Sequence, residues 1–270
     1  MRRLAAVGVA IGLLAAACGG NGGSNSATVT LVRDAPEKTT EAGTSRMAVV
    51  IERPSDQAGT VTVTGEADYR SHRGHMLIDL SQFGLPGPPL DAVFDNAVVY
   101  EKFPQIPGAL PPGKSWVKVD LANGGAPGVG QTQIADPSQP LDYLRGASSD
   151  VTRVGTEDVR GTQTTHYKTV VDLKKAAEQS PSARKAIEAG IKLTGSTQRV
   201  DVWLDVQGRV RRMKYVVDLE QSKGATTTSI AGSSATFTLE LFDFGVPVEA
   251  QVPPADQVID INDLTATGGK

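Results

Sequence analysis

Seven stretches of this chain alternate apolar and polar residues with a period of two, and that repeat limits the fold more than any other feature. Met47, Val49 and Ile51 alternate with Ala48, Val50 and Glu52, and Val61 and Val63 with Thr62 and Thr64. Met76, Ile78 and Leu80 alternate with His75, Leu77 and Asp79, and Val117 and Val119 with Trp116, Lys118 and Asp120. Val202 and Leu204 alternate with Asp201, Trp203 and Asp205. Met213, Tyr215 and Val217 alternate with Arg212, Lys214 and Val216, and Phe237, Leu239 and Leu241 with Thr238, Glu240 and Phe242. Successive strand side chains point to opposite faces, so each run presents one apolar face, as expected of an antiparallel sheet covered on one side. The first-named residues of each run form the expected inward face, and a one-residue slip would invert a strand. Further runs at 91–103, 150–157 and 163–172 bring the expected total to about ten or eleven strands, more than a flat open sheet carries comfortably. Gln207-Gly208 between two runs reads as a hairpin turn, with glycine supplying positive φ.

Helical signals are few. Residues 31–42 are expected to form an amphipathic helix interrupted near Pro36, and residues 140–146 a short helix closed by Gly146. Residues 173–193 carry helical spacing, broken at Ser180-Pro181. Helices laid over the apolar concave face of a curved antiparallel sheet satisfy this pattern. The expected fold class is therefore α+β, mainly β: a half-barrel with a few helices over its concave side. The segments 84–89, 104–113 and 122–137 are rich in Pro and Gly and read as loops. No internal repeat and no break between domains is evident. Residues 243–260 read as an extended tail packed along the body, and 261–270 as disordered.

The N-terminus carries a different signal. Met1-Arg2-Arg3 is followed by an uncharged apolar run, Leu4 to Ala17, that falls short of the ~20 residues needed to span a bilayer. A positive start, a short apolar stretch and small residues before a cut describe an export signal. Leu14-Ala15-Ala16-Ala17-Cys18 resembles the lipobox of bacterial lipoproteins, except that the usual Leu three residues before Cys is here Ala15. The resemblance implies removal of residues 1–17 and attachment of fatty acyl chains, palmitate among them, at Cys18. Two or three such chains, at ~0.8 kcal/mol per buried methylene, anchor a protein where one is marginal. Residues 18–28 then read as the lipidated cysteine and a flexible Gly/Ser/Asn tether, and 29–260 as the folded domain.

Composition removes several functional classes. Cys18 is the only cysteine and there are three histidines, so a disulfide framework, a cysteine-rich zinc site and a histidine-built metal centre all lack material. Losing residues 1–17 removes two arginines and no acid, moving the formal charge from −3 to −5. With no basic patch, nucleic acid is not an expected partner. Gly108 to Ser115 (GALPPGKS) satisfies the G-x-x-x-x-G-K-[ST] pattern of phosphate loops. However, Pro111 and Pro112 remove two backbone donors, and the residues that follow alternate like a strand rather than opening a helix. His72 and His75 lie three apart with no third ligand nearby, and His166 reads as a polar-face residue. There is no G-x-S-x-G elbow and no pair of carboxylates marked out as acid and base. Val210-Arg211-Arg212-Met213-Lys214 reads as a solvated strand face that could also meet anionic headgroups.

Lipobox, tether, helix and long antiparallel sheet are joined by Tyr100-Glu101-Lys102, Gly113-Lys114-Ser115-Trp116-Val117-Lys118-Val119-Asp120, Val202-Trp203-Leu204-Asp205 and Gly208-Arg209-Val210-Arg211-Arg212. Together, over most of residues 40–245, these resemble actinobacterial lipoproteins of the LppX/LprA/LprF/LprG kind, which share the fold of the lipoprotein carrier LolA. The resemblance implies an apolar cavity for acyl chains on the concave side, with no catalytic residue, no metal and no cofactor. The candidate lipid-contacting residues are the inward set: Met47, Val49, Ile51, Val61, Val63, Met76, Ile78, Leu80, Val117, Val119, Val202, Leu204, Met213, Tyr215, Val217, Phe237, Leu239 and Leu241. The expected function is a monomeric, lipid-anchored protein on the extracytoplasmic face of the cell membrane that binds or carries lipids or glycolipids. The alternatives are an envelope interaction or signalling lipoprotein that uses the same half-barrel to bind a protein, and an exported hydrolase.

Overall fold

The computed structural model describes residues 21–52, 59–83, 87–102, 110–120, 139–218 and 234–267. Its centre is a 12-stranded curved open sheet. The strands are β1 (Thr44–Glu52), β2 (Thr60–Asp68), β3 (Arg73–Asp79), β4 (Leu90–Asp95), β5 (Val98–Lys102), β6 (Trp116–Asp120), β7 (Thr152–Val159), β8 (Thr162–Asp172), β9 (Thr197–Leu204), β10 (Val210–Asp218), β11 (Ser234–Phe242) and β12 (Val258–Asp260). Their spatial order is β12-β6-β5-β4-β3-β2-β1-β11-β10-β9-β8-β7. Every pairing is antiparallel except β12 with β6. The fold class expected from the alternation is the one observed.

Two differences account for the higher strand count. The run at 91–103 is two strands, because Asn96 takes a left-handed conformation (φ 56°) and turns β4 into β5. The expected extended tail also contributes a short strand, β12, and is pinned upstream where Gly245 N donates to Thr44 O at 2.9 Å.

Four helices precede or interrupt the strands: α1 (Asn21–Thr40), α2 (Gln139–Asp142, continued as a 3-10 turn to Gly146), α3 (Leu173–Gln179) and α4 (Arg184–Thr194). A fifth, α5 (Ile261–Thr267), occupies most of the segment expected to be disordered. The break at Ser180-Pro181 divides α3 from α4 as expected. The Asp172 carboxylate caps α3 by accepting from Lys174 N and Lys175 N. By contrast, α1 begins at Asn21, inside the expected tether, and runs through Pro36 without interruption. Its buried residues Val29, Val32, Ala35 and Thr39 recur every three or four positions and lie against the core. Packing of that stripe outweighs the one helical hydrogen bond that Pro36 forfeits.

The same core holds the helices against one face of the sheet. Val32, Leu141, Leu144, Leu173, Ala176 and Ile187 share a cluster with Val200, Val202, Met213 and Tyr215. Side-chain hydrogen bonds fix α1 there. Thr39 Oγ1 accepts from Val210 N at 2.9 Å, and Arg33 Nε donates to Ala147 O at 2.8 Å. Val210 stands at a β-bulge where the β9–β10 register shifts, so the threonine satisfies a backbone donor on the disturbed strand.

Candidate functional site

The strand registers place the expected inward residues side by side. One row crosses Tyr167, Val202, Met213, Leu239, Val49, Val63 and Ile78. A second crosses Tyr215, Phe237, Ile51 and Val61. A third joins Leu241, Met47, Gly65, Met76, Ala92, Glu101 and Val117. A fourth carries Phe94, Val99 and Val119. Leu204 and Val217 belong to the same buried cluster, whereas Leu80 lies one residue beyond β3 and packs against that cluster from the strand end. Residues across a register share a face, so these rows lie on one side of the sheet.

The wall is not covered evenly. Under the helices, Val200, Val202, Leu204 and Met213 are fully buried. The end formed by Leu241, Met47, Ala67 and Phe94 is also sealed. There Gly74 has no side chain because the Phe94 ring occupies its place: a Cβ would lie 2.2 Å from that ring. At the opposite strand ends Val49, Ile51, Ile78, Leu80 and Phe237 remain only partly buried. They form an apolar stripe in which Ile51 pairs with Phe237, while Val63, which links Val49 to Ile78, and Val61 beside Ile51 are themselves buried. Tyr215 lies behind it, stacked on Phe237 (centroids 5.3 Å) and edge-on to Tyr143 (6.0 Å). Burial raises the Tyr143 phenol to about 12 and Tyr215 well above its ordinary value, so both hydroxyls stay protonated.

Several members of the wall were not in the expected set, among them Tyr167, Ala92, Phe94, Val99 and one ionisable residue, Glu101. Glu101 lies on the apolar phase of β5, between Ala92 and Val117. Burial raises its carboxyl to about 7. The missed turn at Asn96 hid this position, because the alternation restarts after it. Asp-Asn at 95–96 was the available signal.

The other motifs sit away from this wall. The phosphate-loop pattern ends in a strand: Lys114 Nζ donates to Asp256 O at 2.9 Å, Ser115 N donates to Gln257 O at 2.9 Å, and β6 begins at Trp116. His75 Nε2 lies 2.7 Å from Asp91 Oδ1, and His72 occupies a turn with φ 51°. His166 stacks on Trp203 (4.0 Å) between Glu157 and Asp201 on the outer face. The basic run is no simple solvated face. Arg211 pairs with Asp205 at 3.0 Å, and Arg212 with Glu240 at 2.6 Å. Among the described residues no cluster of three or more His, Cys, Asp or Glu is placed to hold a metal. No described helix is long and apolar enough to cross a membrane. The export signal, Cys18 and residues 122–137 lie outside the described residues.

Comparison with known proteins agrees with this architecture. The chain is 29% identical over 222 residues to an uncharacterized 31.2 kDa protein of Streptomyces griseus, covering 78% of this chain and 66% of that protein. It is 30% identical over 164 residues to a candidate lipoprotein of Streptomyces coelicolor, covering 58% of this chain and 46% of that one. The chain thus spans just under two thirds of the first relative and just under half of the second. No family model matches. Among solved structures, the Mycobacterium tuberculosis lipoprotein LppX superposes with a TM-score of 0.51 at 15% identity, over 84% of this chain and 99% of that one. The sheet and helices therefore have the fold of LppX, a protein of the kind that the sequence resembles.

Proposed function

We propose that this protein is a lipid-anchored envelope lipoprotein that binds lipid acyl chains against the concave face of its sheet and performs no chemistry on them. The observation that carries this reading is the uneven covering of the apolar wall. It is sealed under α1–α4 and at the Phe94 end, while Val49, Ile51, Ile78, Leu80 and Phe237 stay partly exposed in one stripe. Acyl chains laid on that stripe gain ~25 cal/mol for each Å² removed from water, without directional contacts. The fold shared with LppX supports the reading. In this reading Cys18 supplies the anchor, the export signal sets the extracytoplasmic face of the membrane as the place of action, and the protein acts as a monomer.

The test is extraction and mass spectrometry of small molecules from the full chain purified from an actinobacterial host. Lipid is expected in the wild type. Ile51→Asp and Ile78→Asp, which place a charge on the half-buried stripe, are expected to reduce it about ten-fold while unfolding stays cooperative. Wild-type protein free of lipid, and unable to take up the neutral apolar dye N-phenyl-1-naphthylamine, overturns the reading in favour of a module that binds a protein.

A further inference from the structure

Within strands β1–β6 the inner face carries one ionisable side chain, Glu101. Its cross-strand neighbours are Ala92, fully buried, and Val117, 2% exposed. Val99 precedes it on the same phase, and Phe94, Met76 and Val119 line the adjoining positions. None of these offers a hydrogen-bond donor side chain. Lys102, the nearest cation in sequence, points to the other face, where it lies over the Trp116 ring at 5.6 Å. Glu101 stands one residue row in from the partly exposed stripe, since Ile78 pairs with Leu90 and Met76 with Ala92.

We infer that Glu101 is the polar anchor of the lipid site and selects lipids whose head donates hydrogen bonds, through hydroxyl or ammonium groups, over lipids with an anionic head. The inference rests on the carrier reading above and adds ligand class to it. Glu101 is half-buried, so its carboxyl is partly desolvated on an apolar wall, and a ligand that brings a donor offsets that cost. A phosphate or carboxylate head in the same place meets a like charge instead. Burial as the sole cause of the raised Glu101 pKa is consistent with a carboxyl that lacks a protein partner among the described residues.

Three dioleoyl lipids with the same tails separate the possibilities: a monoglucosyl diacylglycerol, a lipid with a primary ammonium head, and phosphatidate. Each is titrated into the full chain by displacement of N-phenyl-1-naphthylamine at about pH 8.5, where Glu101 is ionised. Wild type is expected to favour at least one donor head over phosphatidate by about ten-fold or more. Glu101→Leu is expected to erase that preference, so that phosphatidate binds within about two-fold of the donor-headed lipids. Glu101→Gln, which still accepts a hydrogen bond but carries no charge, identifies the head. It preserves glucosyl-lipid binding if hydroxyls are the donors, and loses ammonium-lipid binding by about ten-fold if the ammonium is. Equal binding of all three lipids by wild type, or a preference that survives Glu101→Leu, overturns the inference and leaves the carrier reading intact. Failure of wild type to bind dye and all three lipids overturns both.

Discussion

Burial pushes Asp205 and Glu101 in the same direction, and their surroundings then part them. The Asp205 side chain is 1% exposed, yet it accepts from Gln207 N, Arg209 N, Arg209 Nε and Arg211 Nε at 2.9–3.0 Å. Those donors outweigh desolvation and hold its carboxyl below the ordinary range. Its contribution to stability is therefore present above the unfolded value of 3.8 and lost as pH falls through the lower folded one. Asp205→Asn should lower stability at neutral pH by about 3 kcal/mol, because two guanidinium groups lose their carboxylate. In urea titrations the difference from wild type should shrink below pH 3.8. Glu101 behaves oppositely. Its folded value of about 7 exceeds the unfolded 4.5, so the folded state holds its proton longer. Stability should fall as pH rises from 4.5 towards 7 and then level off. Glu101→Gln should remove that slope, gaining on the order of 1–3 kcal/mol over wild type at alkaline pH and nothing below pH 4.5. Of these two residues only Asp205 left a trace in the sequence, through its turn. A glutamate in the apolar phase of a short strand looks like any exposed strand glutamate until the turn at Asn96 sets the phase.

At the scale of elements, the β9–β10 hairpin shows what a sequence can specify locally. Gly208 takes φ 79°, and its N–H closes the turn on Asp205 O at 2.9 Å, as the glycine between two alternating runs implied. The entry to the fold was less legible. Pro36 and the Gly/Ser/Asn composition of residues 21–26 argue locally against helix, and α1 nonetheless includes both. Its Val29, Val32, Ala35 and Thr39 stripe is an i, i+3 pattern whose value comes only from the core on the other side. Thr39 ties that pattern to the sheet, so Thr39→Val should test it: the shape is nearly kept while Val210 N loses its acceptor. We expect a loss of about 1–3 kcal/mol, read by urea denaturation, with faster hydrogen exchange concentrated in α1 and the start of β10. A uniform rise in exchange across the sheet would instead mean that α1 is no separate cap.

At the scale of the molecule, alternation gave the wall's phase, but nothing local to a strand states which part of a wall a helix will cover. Val202 and Ile51 are both inward β-branched residues, and only the packing of α1–α4 makes one sealed and the other partly exposed. That difference has a thermodynamic consequence. A ligand that fills the stripe binds the folded state alone and stabilises it by RT ln(1 + [L]/Kd), about 2.7 kcal/mol at a hundred-fold excess over Kd. Each further methylene buried on the stripe adds at most ~0.8 kcal/mol, so affinity should climb several-fold per carbon until the partly exposed wall is filled. Lipids of one head and graded tail length should therefore raise Tm in steps and then reach a plateau, and the carbon number at the plateau measures the length of open wall. Filling the stripe from within should lower that plateau: Val49→Phe puts a ring where the tail would lie and should shorten the longest accommodated chain while raising the Tm of the lipid-free protein. If tail length leaves Tm unchanged in wild type, the stripe is surface rather than site, and the bent sheet serves to present its outer face.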